Sequence, residues 1–389
     1  MNPLNLLLLS VLIVQSSTQE DKPLNFTQLT AKYGRQSERF DVVTEDGYIL
    51  TLFHLKGEGK KPVLLMHGLC DSAETFVLRG NSSIAMTLAD EGYDIWAGNS
   101  RGNQYSRRHV SLSPDRNTKQ FWNFSFHEMG TYDLPAMIDF ILHKTGKKKL
   151  SVVGHSQGTT IFYVLGSSRP EYNDKVSVFI ALAPVAYLND MPPGLGDSII
   201  KAWPELDPFL KWLGLEEEFE KNGVFDWVSQ LICHGMLGYN ICERGVVASA
   251  IGDDSKRLEP GFFKVALHHF LKGTSRKNLN HFVQVSHRRR FAQYDYGLLN
   301  VDHYSHNKEV PLEYPPEYNL TRVTMPVALI LGEHDKVSLV SNVKILMRKL
   351  PNVVYYHVIE EFNHADFVWA NDLRKTLIPI MKELLVRFA

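Results

Sequence analysis

The sequence predicts an α/β fold in which helices cover a mostly parallel, doubly wound β-sheet. Short apolar runs, typical of strands that are buried on both faces, recur along the chain. They alternate with stretches of helical periodicity, the pattern of a sheet whose strands are joined by crossover helices. Strands are predicted at residues 40–43, 49–55, 63–66, 94–97, 150–153, 176–182, 327–331 and 353–359.

A long insertion is predicted between two parts of this sheet. The 389 residues, 44% of them hydrophobic, allow one large domain with a sizeable core. The alternation stops at about residue 187, and an aromatic-rich stretch of helices and loops follows. We therefore expect core segments at 19–186 and 312–389, with a helical cap or lid at 187–311. A last helix is predicted over 372–388, kinked or broken at Pro379.

Residues 1–18 are predicted to be a signal peptide. The apolar stretch from Leu4 to Val14 is too short to span a bilayer, and small polar residues follow it. Cleavage is expected between Ser16 and Glu20. Because no lysine or arginine precedes the apolar stretch, an uncleaved anchor is the alternative. The sequence thus predicts entry into the secretory pathway without a transmembrane anchor.

Glycosylation sequons agree with a secretory protein, and the charge bears on its partners. Asn-x-Ser/Thr sequons, which mark glycosylation acceptors, occur at Asn25, Asn81, Asn123 and Asn319. The formal net charge of −1 gives no electrostatic reason to expect a nucleic-acid partner or an anionic membrane surface.

The most informative motif is Gly-His-Ser-Gln-Gly at residues 154–158. It follows a predicted strand and precedes a run compatible with a helix, which is the setting of a nucleophile elbow. The flanking Gly154 and Gly158 suit a turn too tight for a Cβ atom. Ser156 is the predicted nucleophile. The alternative is an ordinary glycine-rich loop between a strand and a helix.

A serine becomes nucleophilic only when a base takes its proton, so two further residues are required. In this type of site the chain order is serine, acid, histidine. Asp335 follows the strand predicted at 327–331, and His364 follows the strand predicted at 353–359. We assign His364 as general base and acid, and Asp335 as the carboxylate that orients the imidazole.

Each of these assignments has an alternative nearby. Glu333 lies two residues before Asp335, which we prefer because it is closer to the loop. His334 precedes the acid, against the required order. Asp366 is expected to support the loop that carries His364.

An oxyanion hole needs two N–H donors. One is expected from Gln157, the residue after the serine, and the other from a loop after an early strand. The turn His67-Gly68-Leu69 follows the strand predicted at 63–66, and Gly68 would let the N–H of Leu69 approach the oxyanion. A plain β-turn before a helix is the alternative. This chemistry calls for no metal or cofactor.

The motifs together resemble the acid lipase family of α/β-hydrolases, which includes gastric lipase and lysosomal acid lipase. The resemblance extends from about Asn25 to the C-terminus. It rests on motifs that occur in this order: His-Gly-Leu at 67–69, Asn-Ser-Arg-Gly-Asn at 99–103, Gly-His-Ser-Gln-Gly at 154–158, Gly-x-x-Asp at 332–335 and Asn-His-x-Asp-Phe at 363–367. Glu333 and His334 depart from the family's usual pattern, but neither removes a catalytic atom.

The resemblance implies an α/β-hydrolase fold and the same site residues: Ser156, Asp335 and His364 as the triad, with Leu69 and Gln157 as oxyanion donors. It implies hydrolysis of triacylglycerols or cholesteryl esters, through an acyl-enzyme, by a secreted or lysosomal protein. An aromatic-rich cap could hide an apolar acyl site from water and open at a lipid–water interface.

The resemblance also favours a disulfide between Cys233 and Cys242, which would close a short loop in a compartment that permits disulfides. Cys70, beside the oxyanion turn, is expected to be a small buried hydrophobe.

Two other functions remain open from the sequence. One is a different serine hydrolase, such as a small-ester carboxylesterase or a peptidase. The other is a catalytically silent lipid-binding protein, such as a yolk-type protein, on the same fold. A haloalkane dehalogenase is disfavoured because that chemistry needs a carboxylate at the elbow. The sequence does not separate triacylglycerol from cholesteryl ester, or an acidic from a neutral pH optimum.

Overall fold

An eight-stranded sheet forms the centre of the molecule. The computed structural model describes residues 23–59, 61–218, 252, 257–297 and 315–388. The strands lie in the order β1-β2-β4-β3-β5-β6-β9-β10, and β7 and β8 form a separate small pair. Their bounds are Glu38–Val43 (β1), Ile49–Leu55 (β2), Pro62–Met66 (β3), Asp94–Gly98 (β4), Leu150–His155 (β5), Val176–Leu182 (β6), Glu217–Glu218 (β7), Thr274–Ser275 (β8), Val327–Gly332 (β9) and Val353–Ile359 (β10).

The large sheet is mostly parallel. β2 runs antiparallel to both β1 and β4, and the remaining neighbours are parallel. Every strand predicted from an apolar run is present, with bounds that agree to within two residues at each end. The predicted α/β fold is therefore confirmed.

Both faces of the central strands are buried, which explains their unbroken apolar sequences. All residues of β3, β5, β6 and β9 are buried. Alternate side chains enter different cores: Val63 and Leu65 join one cluster, whereas Leu64 and Met66 join the other. A strand with two apolar faces must read as a continuous apolar run, since successive side chains point to opposite faces.

Helices connect the strands and cover the two faces. Several short segments form single helical turns, at Thr118–Phe121, Phe126–Glu128 and Asp366–Trp369. The longer helices are Phe26–Lys32 (α1), Ile84–Asp90 (α2), Leu134–Thr145 (α3), Gln157–Ser168 (α4), Leu195–Trp212 (α5), Pro260–His269 (α6), Arg276–Arg288 (α7), Val340–Lys349 (α8) and Leu377–Arg387 (α9).

The prediction for the last helix was wrong at its beginning. α9 begins at Leu377 and not at residue 372, and residues 371–376 form turns. Pro379 consequently lies in the first turn, where its missing N–H has no intrahelical acceptor in any case. A helix from residue 372 would have needed that N–H and would have brought the proline ring against the preceding turn.

The predicted cap segment, residues 187–311, contains α5, α6 and α7 among its described residues. β7 and β8 pair antiparallel within it, through Glu217 with Ser275 and Glu218 with Thr274. The sequence did not predict this pairing. Residues 219–251, 253–256 and 298–314 lie outside the described residues, and with them Cys233 and Cys242. The predicted signal peptide, residues 1–18, also lies outside them.

Two surface observations bear on the secretory prediction. The four sequon asparagines are exposed, so a glycan could be attached at each of them. In the ranges that the structure describes, no helix combines the length and the apolar character needed to cross a membrane.

Candidate active site

Ser156 lies at a sharp turn between β5 and α4. Its backbone has φ +54° and ψ −120°, a conformation that L-residues rarely adopt. The turn requires close backbone approaches on both sides. A Cβ at Gly154 would lie 2.6 Å from the backbone of Gly158, and one at Gly158 would lie 2.2 Å from the carbonyl oxygen of Met66. The two glycines thus allow the serine to sit at the end of a central strand.

His364 connects Ser156 to Asp335. The Nε2 atom of His364 is 2.7 Å from Ser156 Oγ, and its Nδ1 atom is 2.8 Å from Asp335 Oδ2. Because a carboxylate can only accept, Nδ1 carries the proton and Nε2 is free to accept from the serine hydroxyl. All three residues are buried, and the Asp335 side chain is 0% exposed.

Asp335 is held by the loop that follows β9. Its Oδ1 atom accepts hydrogen bonds from the N–H groups of Val337 and Ser338, at 2.8 and 2.7 Å. The Ser338 hydroxyl in turn donates to the carbonyl of Pro184, 2.7 Å away. One carboxylate oxygen is therefore used for anchoring, and the other faces His364.

The alternative acid and histidine point elsewhere. Glu333 and His334 are exposed, and Glu333 accepts a hydrogen bond from the N–H of Glu361. Asp366 lies in the loop of His364 and accepts from the N–H of Asn363 at 2.8 Å. It thereby supports the loop that carries His364.

The turn predicted for the oxyanion hole lies beside the elbow, because β3 and β5 are neighbours in the sheet. A Cβ on Gly68 would lie 3.3 Å from the Cβ of Ser156. Leu69 follows in this turn and is half-buried. Gln157 is the first residue of α4, so its N–H belongs to the helix-terminal donors that lack an intrahelical acceptor.

His67 fixes this turn as a neutral imidazole. Its Nδ1–H donates to the carbonyl of Gly68 at 2.8 Å, and its Nε2 accepts from the N–H of Ser100 at 3.1 Å. Burial lowers the pKa of His67 to about 4, since water cannot solvate the imidazolium there. Cys70, the next buried residue of the turn, accepts a hydrogen bond at its carbonyl from the N–H of Lys272 at 2.7 Å.

The cap segment reaches the elbow through a contact that the sequence did not predict. Asn278, in the first turn of α7, is fully buried and donates from Nδ2 to the side-chain oxygen of Gln157 at 2.6 Å. Its second contact is with Thr274 in β8. Asn278 and Gln157 are 121 positions apart in the chain. No local sequence pattern predicts this contact of Asn278.

A second residue missed by the sequence reasoning is His155, which precedes the serine. Its Nε2 atom is 2.8 Å from the carbonyl oxygen of His364. Its place in the motif was visible, but only the fold brings His364 to it. Among the described residues, no group of three or more His, Cys, Asp or Glu side chains could hold a metal ion.

The topology and the elbow define the class of α/β-hydrolases, and family models agree. Residues 61–212 match a model described as "alpha/beta hydrolase fold". Residues 26–80 match one described as "Partial alpha/beta-hydrolase lipase region". A thermophilic esterase from Thermogutta terrifontis has the same fold, with a TM-score of 0.53, 14% identity, and coverage of 90% of this chain and 99% of that one.

Known lipases are similar along most of their length. Lipase 1 of Drosophila melanogaster is 39% identical over 377 residues, 95% of this chain and 82% of that protein. Gastric triacylglycerol lipase of Mus musculus is 38% identical over 362 residues, 90% of this chain and 88% of that protein. Human lysosomal acid lipase/cholesteryl ester hydrolase is 35% identical over 374 residues, 92% of this chain and 91% of that protein.

The chain therefore belongs to the lipase family of α/β-hydrolases that includes gastric lipase and lysosomal acid lipase. The resemblance found in the sequence motifs is confirmed, and the chain is a carboxylic ester hydrolase of the lipase type.

Proposed function

We propose that this chain cleaves neutral lipid esters, triacylglycerols or cholesteryl esters, through a triad of Ser156, Asp335 and His364. The observation that carries the proposal is the pair of hydrogen bonds made by His364, to Ser156 at 2.7 Å and to Asp335 at 2.8 Å. The names of the similar gastric and lysosomal proteins support these two substrate classes.

In the first half of the reaction, Ser156 attacks the ester carbonyl. As its Oγ forms a bond to the carbonyl carbon, the proton passes to Nε2 of His364. Asp335 stabilises the resulting imidazolium through the hydrogen bond at Nδ1. The imidazolium then protonates the leaving alcohol, and the acyl group stays on Ser156.

In the second half, water releases the fatty acid. His364 takes a proton from the water as its oxygen attacks the acyl carbonyl, and then returns that proton to Ser156 Oγ. The same imidazole serves both halves because each begins with Nε2 unprotonated.

The N–H groups of Leu69 and Gln157 are the proposed donors to the oxyanion. The position of the His67–Leu69 turn beside the elbow supports this role. Loss of one such donor typically lowers the rate by about 100-fold to 1000-fold. Backbone donors cannot be removed by mutation, so obstruction of the turn is the practical test: Gly68→Val would place a branched side chain against Ser156.

We further propose that α5 binds the lipid surface. Large apolar side chains stand exposed along it, among them Phe209 at 54% and Trp212 at 78%. Ile199 and Leu206 are exposed on the same helix, at spacings that share a face with Phe209, and Leu213, directly after the helix, is exposed as well. Contiguous exposed apolar surface usually marks an interaction site. Neutral lipid esters gather at a lipid–water interface, so the lipid surface is the partner that fits a lipase.

The proposed location is the extracellular space or the lysosome. The predicted signal peptide and the exposed asparagines Asn25, Asn81, Asn123 and Asn319 support passage through the secretory pathway. The Cys233–Cys242 disulfide remains a prediction from the family resemblance, and thiol mapping of the intact protein would test it.

The test is hydrolysis of emulsified triolein and cholesteryl oleate, from about pH 4 to about pH 8, by the purified chain and by Ser156→Ala. We expect hydrolysis of at least one substrate by the wild type and none by the variant. The ratio of the two rates identifies the preferred ester, and the pH profile separates a lysosomal from a digestive character.

Three outcomes would contradict the proposal. Turnover of short p-nitrophenyl esters without turnover of either emulsion would indicate a small-ester carboxylesterase. No turnover of any ester by folded wild-type protein would indicate a silent lipid-binding protein. Activity of Ser156→Ala within about tenfold of the wild type would reject the assigned nucleophile.

A further inference from the structure

We propose that His155 is a positioning residue that fixes the main chain of His364 against the nucleophile elbow. This inference rests on the proposed roles of Ser156 and His364 and adds a residue that acts through the second of them. His155 is the last residue of β5 and directly precedes Ser156. The backbone of the elbow therefore fixes the position from which the His155 side chain extends.

The imidazole of His155 touches the three pieces of the site. Its Nε2 atom lies 2.8 Å from the carbonyl oxygen of His364, and the two rings lie 5.2 Å apart, inclined at 41°. On the other side, its Nδ1 atom would lie 3.3 Å from a Cβ on Gly68, in the oxyanion turn. Elbow, oxyanion turn and His364 loop are thus packed around one ring.

The hydrogen bond fixes the tautomer of His155. A carbonyl oxygen only accepts, so Nε2 carries the proton and the neutral ring leaves Nδ1 as an acceptor. Nδ1 is buried without a hydrogen-bond partner in the part of the chain that the structure describes. A phenylalanine would fill similar space without burying an unpaired nitrogen. Packing alone therefore does not account for the imidazole, and the N–H of Nε2 does.

The ring is also kept uncharged next to His364. Burial lowers the pKa of His155 to about 3, and the neighbouring His364 and His67 add to this effect. His364 and His67 are thus the ionisable groups that act on the ring among the residues the structure describes. His364 becomes an imidazolium during each half-reaction, and a second cation beside it would oppose that step. His155 thus donates to the carbonyl of His364 without placing a second positive charge beside it.

The role can be separated from packing by two substitutions. In His155→Gln the amide nitrogen replaces the Nε2–H donor at similar reach. In His155→Phe the ring shape remains but the donor is lost. A misplaced base loses rate steeply, so we expect His155→Phe to lower kcat on a soluble p-nitrophenyl ester by about tenfold to 100-fold. KM should stay within about twofold, because substrate binding does not involve this ring.

The readouts are kcat, KM, the pH profile of kcat/KM, the rate of phosphonylation by a fluorophosphonate, and the thermal midpoint. We expect His155→Phe to shift the acid limb of the pH profile and to slow phosphonylation, and His155→Gln to restore most of both. If His155→Phe does not fold, His155→Asn, whose amide is too short to reach the carbonyl of His364, takes its place with the same expected losses.

Two results would overturn the role of His155. One is a kcat and pH profile of His155→Phe within about twofold of the wild type. The other is an equal loss in the Gln and Phe variants that follows their thermal midpoints. Wild-type labelling at Ser156 reports on the proposed function separately. If the wild type is not labelled at Ser156, both the triad and the role of His155 are rejected. If the wild type is labelled and His155→Phe is phosphonylated at the same rate, only the role of His155 is rejected.

Discussion

The sheet and the cap segment present their apolar side chains in opposite ways. Strands β3, β5 and β6 bury every residue on both faces. Helix α5 leaves Phe209 and Trp212 largely exposed, their rings stacked 6.1 Å apart. The sheet can therefore hold reacting atoms in fixed positions, whereas α5 exposes apolar side chains at the surface. We infer that residues at the strand ends carry out the reaction and that α5 contacts the lipid surface.

The largest expected effect tests the sheet side of this comparison. Asp335→Asn should lower kcat by roughly 1000-fold to 10000-fold, because an amide cannot stabilise the imidazolium and favours the wrong tautomer of His364. Glu333→Gln is the matched control, since Glu333 is exposed two residues away. It should keep kcat within about twofold. Similar losses in both variants, measured on a soluble ester, would contradict the assignment of the acid.

A smaller effect is expected where the cap meets the elbow. Asn278→Ala removes the 2.6 Å hydrogen bond to the side chain of Gln157 and should lower kcat about tenfold. Asn280→Ala is the control, because Asn280 contacts Asp207 and Tyr294 within the same segment. If both variants lose the same activity, the hydrogen bond between Asn278 and Gln157 has no special role. The cap segment then does not influence the chemistry at the elbow through this contact.

The apolar face of α5 should matter only at an interface. The double change of Phe209 and Trp212 to serine should lower the rate on emulsified triolein several-fold and leave the rate on a soluble ester unchanged. Val386→Ser removes a side chain of similar exposure, 66%, from α9 and serves as control. Flotation with triolein emulsion measures binding directly. Unchanged binding by the double variant would contradict a lipid-facing α5.

The smallest expected effect concerns stability and pH. Burial raises the pKa of Asp71 to about 7, against 3.8 for an ordinary aspartate. The folded chain therefore binds the Asp71 proton more tightly than the unfolded chain does. The resulting contribution to the free energy of unfolding is complete below pH 3.8 and is lost as the pH rises through about 7. Asparagine imitates the neutral acid, so Asp71→Asn should raise the thermal midpoint at about pH 8 and have less effect at about pH 5.

The control for this experiment is Glu333→Gln, which removes an exposed carboxylate. Thermal unfolding of the three proteins at both pH values gives the comparison. An equal shift of the midpoint for Asp71→Asn at both pH values would contradict a raised pKa for Asp71.

The sheet was predictable because each of its strands can be recognised from its own residues. A strand buried on both faces must be a continuous apolar run, so β5 and β9 could be found without knowing their neighbours. The same strands place Ser156 and Asp335, and the rule of chain order identifies His364. The choice between Asp335 and Glu333 rested on two residues of spacing, and the structure turns only Asp335 toward His364.

Contacts between distant segments could not be predicted in this way. Asn278 meets Gln157, and His155 meets the carbonyl of His364, across separations of 121 and 209 residues. Neither pair leaves a periodic or spaced pattern in the sequence. The beginning of α9 was predicted wrongly for a different reason. The apolar pattern continues before Leu377, but the missing N–H of Pro379 disfavours a helix that begins at residue 372.

The most direct test of the proposed chemistry is peptide mapping of the full chain after reaction with a fluorophosphonate, together with triolein hydrolysis of the same sample. We predict one adduct, on Ser156, and a loss of triolein hydrolysis in proportion to its formation. An adduct on any other residue, or full triolein hydrolysis by chains labelled at Ser156, would contradict the assignment of Ser156 as the nucleophile.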